Sequence, residues 1–220
     1  MSEMLSDDFA YSLLKIVGKG GSSTVYKGVI ESSRREVAIK QIDTDGLSKD
    51  QILGIKGEID TIKALSHNHI VSYLGTRTEK SKILIFLEYA DRGSLRQFYQ
   101  RRGALKEPQA ANCTRQILHG LNYLHANGIA HRDIKCANCL LTKGGVIKLA
   151  DFGASKRFEC ESVVSGLKGV CVCVCVYVCV FVCLCLNKYA VFLLFNVFYY
   201  LILSSNTHTH RHSPLDGARG

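Results

Sequence analysis

Three features are missing from the 220-residue sequence, and each absence argues against one class of protein. The formal net charge is +9, but the lysines and arginines are scattered without a block of five basic residues, which disfavours a nucleic-acid partner. Six of the ten cysteines lie between positions 171 and 185, and the other four form no paired framework, as in proteins of a reducing compartment. The first eight residues are polar and acidic without an apolar segment. We therefore expect no secretory signal and a cytoplasmic location.

The composition changes sharply after residue 169. Residues 170–203 contain a single charged residue, Lys188, and valine or leucine occupies every even position from 170 to 186. Cysteine fills most of the odd positions there, and residues 207–210 read THTH. Translated dinucleotide repeats have this appearance, so we hypothesise that residues 170–220 are intron or repeat sequence. The alternative is a membrane anchor, because runs of 17 and 15 apolar residues approach the ~20 that a spanning helix needs.

The stretch from His131 to Leu141, HRDIKCANCLL, brings three kinds of polar side chain together at fixed offsets. A lysine and an amide follow Asp133 at two and five positions, and a second acid, Asp151, comes ten residues after the stretch. An acid can meet the proton of an incoming hydroxyl, and a cation can meet the charge of a moving phosphoryl group. An amide and a second acid can hold magnesium. The pattern therefore indicates phosphoryl transfer.

The first ninety residues add a glycine-rich turn, a strand that ends in a lysine, and a helix with an acidic residue. The turn, GKGGSSTV from Gly18, lies between two apolar runs, and an ordinary hairpin is its alternative interpretation. The strand VAIK ends at Lys40. Apolar residues at intervals of three and four predict a helix between Ser48 and Ser66, in which Glu58 borders the inward face. Glu58 either pairs with Lys40 or is a solvated helix acid.

Three further elements are predicted around these motifs. The apolar run at residues 83–90 is typical of a buried strand that leads into a polar linker. Pro108 begins a helix that Gly128 ends, since proline suits the first helical position and glycine suits a helix end. Residues 146–149 form a strand that carries the chain to Asp151.

In this order, the motifs resemble those of the eukaryotic protein kinases over residues 9–169. The segments GASK at 153–156 and SGLKG at 165–169 are similar to the MAP kinase kinase kinase and related sterile-group branch. The resemblance implies an α+β, two-lobed fold, with an antiparallel-sheet N-lobe over about 9–87, a hinge over about 88–92 and an incomplete helical C-lobe over 93–169.

The same resemblance implies a role for each motif residue. Asp133 is the expected catalytic base or hydroxyl-orienting acid, and Lys135 is expected to contact the γ-phosphate. Asn138 and Asp151 are expected to hold Mg2+. The implied activity is transfer of the γ-phosphoryl group of ATP to serine or threonine hydroxyls of a protein substrate. The residues expected to form the ATP site are Val17, Gly18, Gly20, Gly21, Ser22, Ser23, Val25, Ala38, Lys40, Glu58, Leu87, Glu88 and Ala90, with the backbone of 88–90 facing the base.

Two departures from the family pattern keep other interpretations open. Ser23 stands where the pattern has its third glycine, although Gly21 adds one nearby. After Gly169 the family's threonine-proline stretch, A-P-E motif and later helices are not recognisable. One alternative is a truncated, non-catalytic chain that binds nucleotide or a kinase partner. Another is an interaction protein tethered to a membrane through residues 170–203.

Overall fold

The computed structural model describes residues 5, 9–21 and 23–157. The predictions made for Ser22, for residues 165–169 and for residues 170–220 lie outside these residues. In the part of the chain that is described, no helix has the length and apolar character needed to cross a membrane. This part comprises a first lobe built on a sheet and a second lobe that is mainly helical.

A five-stranded antiparallel sheet forms the first lobe. Its strands are β1 (Tyr11–Lys19), β2 (Ser23–Ile30), β3 (Glu36–Asp43), β4 (Tyr73–Glu79) and β5 (Lys82–Glu88). Their order across the sheet is β1-β2-β3-β5-β4, so that β3, the strand of the VAIK motif, is central. The predicted α+β class and antiparallel first lobe are confirmed.

Helix α1 (Lys49–Lys63) connects β3 to β4 and begins with a reciprocal cap. The Ser48 side chain accepts a hydrogen bond from the N–H of Gln51, and the Gln51 side chain accepts one from the N–H of Ser48. Such a cap satisfies two N–H groups that the first helical turn leaves unpaired. The inner face of the helix packs against the core through Ile55, Ile59 and Ile62. The helix predicted from apolar spacing is confirmed.

The second lobe contains two helices and four short strands among the described residues. They are α2 (Leu95–Arg102), α3 (Glu107–Ala126), β6 (Ile129–Ala130), β7 (Cys139–Leu141), β8 (Ile147–Leu149) and β9 (Lys156–Arg157). Strand β7 pairs with β8, and β6 pairs with β9. Helix α3 has Pro108 in its first turn and ends ahead of Gly128, whose φ is 67°. The predicted start and end of this helix are confirmed.

The loop after α1 joins the two lobes through backbone hydrogen bonds to β8. The N–H of Val71 donates to the carbonyl of Leu149 at 2.9 Å, and the N–H of Leu149 donates to the carbonyl of His69 at 2.9 Å. Beside them, Lys148 pairs with Glu88 at the end of β5, with Nζ 2.9 Å from Oε2. Apolar residues of both lobes share one core cluster. Strand β8, which leads to Asp151, is therefore attached to the first lobe.

Helix α3 approaches this loop so closely that only glycine fits at position 120. A Cβ atom at Gly120 would lie 2.9 Å from the carbonyl oxygen of His69 and 3.0 Å from Cδ1 of Leu149. Helix α1 shows the opposite case, because a Cβ at Gly54 or Gly57 would meet nothing within 4 Å. Glycine in a helix interior costs about 0.5–1 kcal/mol relative to alanine. The two glycines of α1 therefore weaken that helix without a packing reason.

We expect Gly120→Ala to destabilise the chain and Gly54→Ala to stabilise it. At Gly120 the overpacking cost of about 1–3 kcal/mol exceeds the gain of about 0.5–1 kcal/mol in helix propensity. At Gly54 only the propensity gain applies, because the added methyl group has open space. Urea denaturation measures both changes as shifts of the midpoint. A midpoint raised by Gly120→Ala would contradict the packing described for α3.

Candidate active site

The carboxylate of Asp133 is held on one side and open on the other. Its Oδ2 accepts hydrogen bonds from Nζ of Lys135 at 2.7 Å and from Nδ2 of Asn138 at 2.9 Å. Asn138 Nδ2 also donates to the backbone carbonyl of Asp133 at 2.9 Å. These hydrogen bonds, that of Lys135 first, hold the pKa of Asp133 below its usual range, so the group is ionised at neutral pH. Oδ1 has no donor among the described residues, which leaves it able to accept a hydrogen bond from a hydroxyl.

A buried histidine anchors the loop ahead of Asp133. His131 is 1% exposed, and its Nδ1 accepts a hydrogen bond from the N–H of Asp133 at 3.4 Å. This leaves Nε2–H to donate to the carbonyl of Ala150 at 3.1 Å, next to Asp151. The imidazole also packs on Phe152, with ring centroids 5.0 Å apart. Sequence reasoning assigned His131 no role, although its place two residues before Asp133 and after an apolar pair is a usable signal.

Two residues beside the site have a left-handed backbone that favours glycine. Arg132 has φ 64° and Asp151 has φ 66°. Such a conformation costs roughly 1–3 kcal/mol per residue and persists only where neighbouring contacts fix it. Arg132 Nε donates to the carbonyl of Ala154 at 2.6 Å, and the N–H of Ala150 donates to the carbonyl of Asn138 at 2.9 Å. These contacts hold the loop of Asp133 and the segment of Asp151 against each other.

Lys40 on β3 lies between two carboxylates that come from separate elements. Its Nζ is 2.6 Å from Oε1 of Glu58 on α1 and 3.5 Å from Oδ1 of Asp151. The side chains of Lys40 and Glu58 are 16% and 17% exposed, whereas that of Asp151 is 50% exposed. Solvent and salt screen a sheltered pair less than a surface pair. Glu58 therefore fixes the ammonium group, and Asp151 keeps an accessible carboxylate.

Asn138 and Asp151 offer oxygen ligands that suit Mg2+. Because Nδ2 of Asn138 donates to Asp133, its amide oxygen is the atom left for a cation. Carboxylate and amide oxygens are hard ligands, and Mg2+ is usually bound by one or two carboxylates together with phosphates and water. Among the residues that the structure describes, no group of three or more His, Cys, Asp or Glu side chains could hold a metal ion. One carboxylate and one amide oxygen fit a Mg2+ ion that takes its remaining ligands from elsewhere.

Strand register aligns the glycine-rich turn with Lys40 in the sheet. Gly18 on β1 pairs with Val25 on β2, and Val25 pairs with Lys40 on β3. The half-buried Val17 directly precedes Gly18 on β1. The turn therefore begins and ends on the same row of the sheet as the lysine.

The tip of this turn is open. The N–H of Gly20 donates to the carbonyl of Ser23 at 2.8 Å, which closes the turn. A Cβ at Gly21 would meet nothing within 4 Å. Backbone of this kind can be approached by a large anionic group, because no side chain stands in the way. Ser23, in place of the third glycine of the family pattern, opens β2.

Three predicted residues line the junction of the lobes. Ala38 and Leu87 are partners across β3 and β5, and both are half-buried, while Ala90 is 6% exposed. The Glu88 side chain turns away, since it accepts hydrogen bonds from the N–H and Oγ of Ser72 at 3.2 and 3.0 Å. The N–H of Glu88 donates to the carbonyl of Ser72 at 2.9 Å, so this N–H is not available to a base. Of the two backbone groups of Glu88, only the carbonyl therefore remains a predicted hydrogen-bond partner of the base.

Stability is expected to fall on acidification, because two histidines resist protonation in the folded chain. Burial lowers the pKa of His67 and His131 below the ordinary value of 6.5, and His69, His119 and Lys148 add to the effect on His67. The unfolded chain then binds protons below pH 6.5 that the folded chain does not, so this contribution is complete above pH 6.5 and is lost below it. Thermal unfolding at about pH 7.5 and about pH 5.5 measures the loss. His67→Gln should lose less Tm than wild type over this interval, and an equal loss would contradict the assignment.

The model of the protein kinase domain family matches residues 11–174 of the chain. A probable serine/threonine-protein kinase of Dictyostelium discoideum is 41% identical over 152 residues, and mitogen-activated protein kinase kinase kinase A of the same organism is 41% identical over 161 residues. Mitogen-activated protein kinase kinase kinase 3 of Arabidopsis thaliana is 40% identical over 162 residues. The matches cover 69%, 71% and 71% of this chain and 31%, 17% and 25% of the respective relatives. The chain thus spans less than a third of the length of each of these proteins.

Proposed function

Because the chain belongs to the protein kinase domain family, we propose that it transfers the γ-phosphoryl group of ATP to serine or threonine hydroxyls of a protein substrate. The observation that carries the proposal is the arrangement around Asp133. One carboxylate oxygen is held by Lys135 and Asn138, and the other has no hydrogen-bond donor among the described residues. A cytoplasmic location is part of the proposal.

Asp133 orients the acceptor hydroxyl and takes up its proton. An ionised carboxylate with a free oxygen is suited to this role, and its low pKa favours orientation over full proton removal early in the reaction. Lys135, 2.7 Å from Asp133, brings a positive charge to the place where the hydroxyl meets the phosphoryl group. A preorganised charge stabilises the charge that develops on the transferred oxygens.

Lys40 holds the phosphates of ATP, and Glu58 fixes the position of Lys40. The 2.6 Å contact with Glu58 fixes the ammonium group on the row of the sheet where the glycine-rich turn begins and ends. The N–H of Gly20 is bonded to Ser23, so any further donor to phosphate comes from the other N–H groups of the turn. The apolar side chains of Val17, Val25, Ala38 and Leu87 form the walls for the base, with Gly18, Gly20, Gly21 and Ser23 above the phosphates and the backbone of Glu88 and Ala90 at the base edge.

Asn138 and Asp151 hold the metal ion. When bound, Mg2+ neutralises phosphate charge and orients the γ-phosphoryl group for in-line transfer. Asp151 serves this role through its accessible carboxylate, whose Oδ1 lies 3.5 Å from Nζ of Lys40. The amide of Asn138 links the metal site to Asp133 through its two donated hydrogen bonds.

A second candidate function is nucleotide binding without transfer. It is favoured by one observation, namely that the family match ends at residue 174 while the chain continues to residue 220 in sequence without the A-P-E motif. In the protein kinases the missing stretch helps to form the surface that binds the substrate peptide. None of the residues assigned to the ATP site lies in that stretch.

One experiment separates the two candidates. The 220-residue chain is incubated with γ-labelled ATP, Mg2+ and a mixed protein acceptor, and phosphoserine and phosphothreonine are measured beside nucleotide binding. Label on serine or threonine that disappears on chelation of Mg2+ supports the kinase proposal. Nucleotide binding without label on any hydroxyl would overturn it in favour of the second candidate.

A further inference from the structure

The surface beside the catalytic loop carries an excess of basic residues that the proposed transfer does not use. Between positions 91 and 106 there is one acidic residue, Asp91. The same interval holds five exposed basic residues, namely Arg92, Arg96, Arg101, Arg102 and Lys106. The four arginines lie on α2 and on the turn before it, and they are called the basic α2 face below.

Backbone hydrogen bonds place this face against the catalytic loop. The N–H of Arg96 donates to the carbonyl of Cys136, three residues after Asp133, at 3.0 Å. The N–H of Arg92 donates to the carbonyl of Leu141 at 3.0 Å. An extended peptide advances ~3.3 Å per residue. A peptide whose hydroxyl lies at Asp133 can therefore bring residues within about five positions of that hydroxyl alongside the basic α2 face.

The residues that the structure describes do not neutralise the charge of this face. Arg92 and Arg96 form no ion pair with a residue that the structure describes. Arg101 donates to the carbonyl of Arg92 at 2.9 Å, which leaves its positive charge in place. Asp91 pairs with Lys143 instead, since its Oδ2 lies 3.4 Å from Nζ of that residue. The arginines thus present net positive charge to whatever lies over them.

The acids of the site do not cancel this charge. Asp133 is bound by Lys135 at 2.7 Å, and Asp151 shares Lys40 with Glu58. These two lysines and three acids leave one negative charge, against the four arginines of the basic α2 face. Charges that are already paired act weakly on a third group beyond about one Debye length, roughly 8–10 Å at moderate salt. A substrate segment next to α2 therefore meets mainly the field of the arginines.

From this position and charge we infer that the protein substrate carries glutamate or aspartate residues close to its phosphoacceptor, and that Arg92 and Arg96 bind them. Arginine suits the role because its planar guanidinium group can donate two parallel hydrogen bonds to one carboxylate. The two arginines are then specificity-determining residues. This inference rests on the proposed function, since it names the substrate class of the same site.

The test uses two matched peptides and two matched variants of the full chain. Each peptide has one serine with three residues on either side, all glutamate in one peptide and all glutamine in the other. The variant Arg92→Gln/Arg96→Gln removes two charges from the face, and Lys49→Gln/Lys56→Gln removes two exposed charges from α1 as its control. Phosphorylation gives kcat/KM, and fluorescence anisotropy gives peptide affinity without any need for transfer.

The wild-type chain and the α1 control should prefer the glutamate peptide in both measurements. Arg92→Gln/Arg96→Gln should lower that preference about three- to tenfold, because exposed ion pairs each contribute modestly. The preference should also shrink in high salt, which screens exposed charges. Equal kcat/KM and equal affinity of the wild-type chain for the two peptides would overturn the inference. An unchanged preference in Arg92→Gln/Arg96→Gln would overturn it as well.

The measurements distinguish a failure of the kinase proposal from a failure of the acidic-substrate inference. Phosphorylation of both peptides at equal rates upholds the kinase proposal and overturns the acidic-substrate inference. If neither the two peptides nor the mixed protein acceptor is phosphorylated, the kinase proposal fails, while anisotropy still decides whether the arginines bind the glutamate peptide. An oligonucleotide that displaces the glutamate peptide and binds more tightly through Arg92 and Arg96 would also overturn the inference, because the face would then select polyanions rather than acidic peptides.

Discussion

Replacing Asp133 by asparagine is expected to lower kcat by about 10²–10⁴-fold and to leave the KM for ATP nearly unchanged. The change keeps the shape of the side chain but removes the negative charge and one acceptor. Since Lys135 and Asn138 both donate to Oδ2, an amide at this position also disturbs the hydrogen bonds that orient the loop. Initial rates at saturating Mg2+ and varied ATP separate kcat from KM.

A matched control for this variant is Asp45→Asn, which makes the same chemical change at an exposed position between β3 and α1. The control should keep wild-type kcat. Equal kcat in Asp133→Asn and wild type would remove Asp133 from the reaction. A large rise in the KM for ATP with unchanged kcat would instead place Asp133 in nucleotide binding.

Replacing Lys40 by methionine is expected to lower kcat/KM by about 10²–10³-fold, the usual loss when one preorganised charged donor is removed from a reaction site. Methionine keeps most of the apolar stem of the lysine but leaves Glu58 and Asp151 without their shared cation. Both binding of ATP and orientation of its phosphates should suffer. Thermal stabilisation by Mg-ATP should decrease in parallel, which provides a readout independent of turnover.

The partner of Lys40 can be tested in the same series. If Glu58 acts only by fixing Lys40, then Glu58→Gln should lower kcat/KM in wild type but should add little to Lys40→Met. The control is Lys82→Met, at the exposed start of β5, which should behave as wild type. Fully additive losses for the two substitutions would show that Glu58 contributes separately from Lys40.

The family was predicted from the order of its motifs, and the likeness to the MAP kinase kinase kinase branch from the segments at 153–156 and 165–169; both are confirmed. The two long helices could be predicted because their signals are local. Apolar spacing placed α1, and Pro108 with Gly128 bounded α3. Only the antiparallel character of the first lobe was expected, and it came from the resemblance, since the pairing of β3 with β5 joins residues far apart in sequence.

Contacts between residues far apart in the sequence could not be predicted. The side chain of Glu88 turns toward Ser72 and Lys148, which no local pattern indicates. The link from His131 to Ala150 depends on two segments nineteen residues apart that meet only in the folded chain. The left-handed backbone of Arg132 is likewise a product of its surroundings, because arginine has no intrinsic preference for positive φ.

The backbone contacts between the loop after α1 and β8 also bear on the order in which the chain can fold during synthesis. His69 Nδ1 hydrogen-bonds the carbonyl of Ile147 at 2.9 Å, across 78 positions of sequence. The hydrogen bonds of the loop between α1 and β4 are thus completed by residues that leave the ribosome long after β5 has emerged. A nascent chain that ends near the hinge lacks these hydrogen bonds. The loop after α1 can form them only once Leu149 has been synthesised.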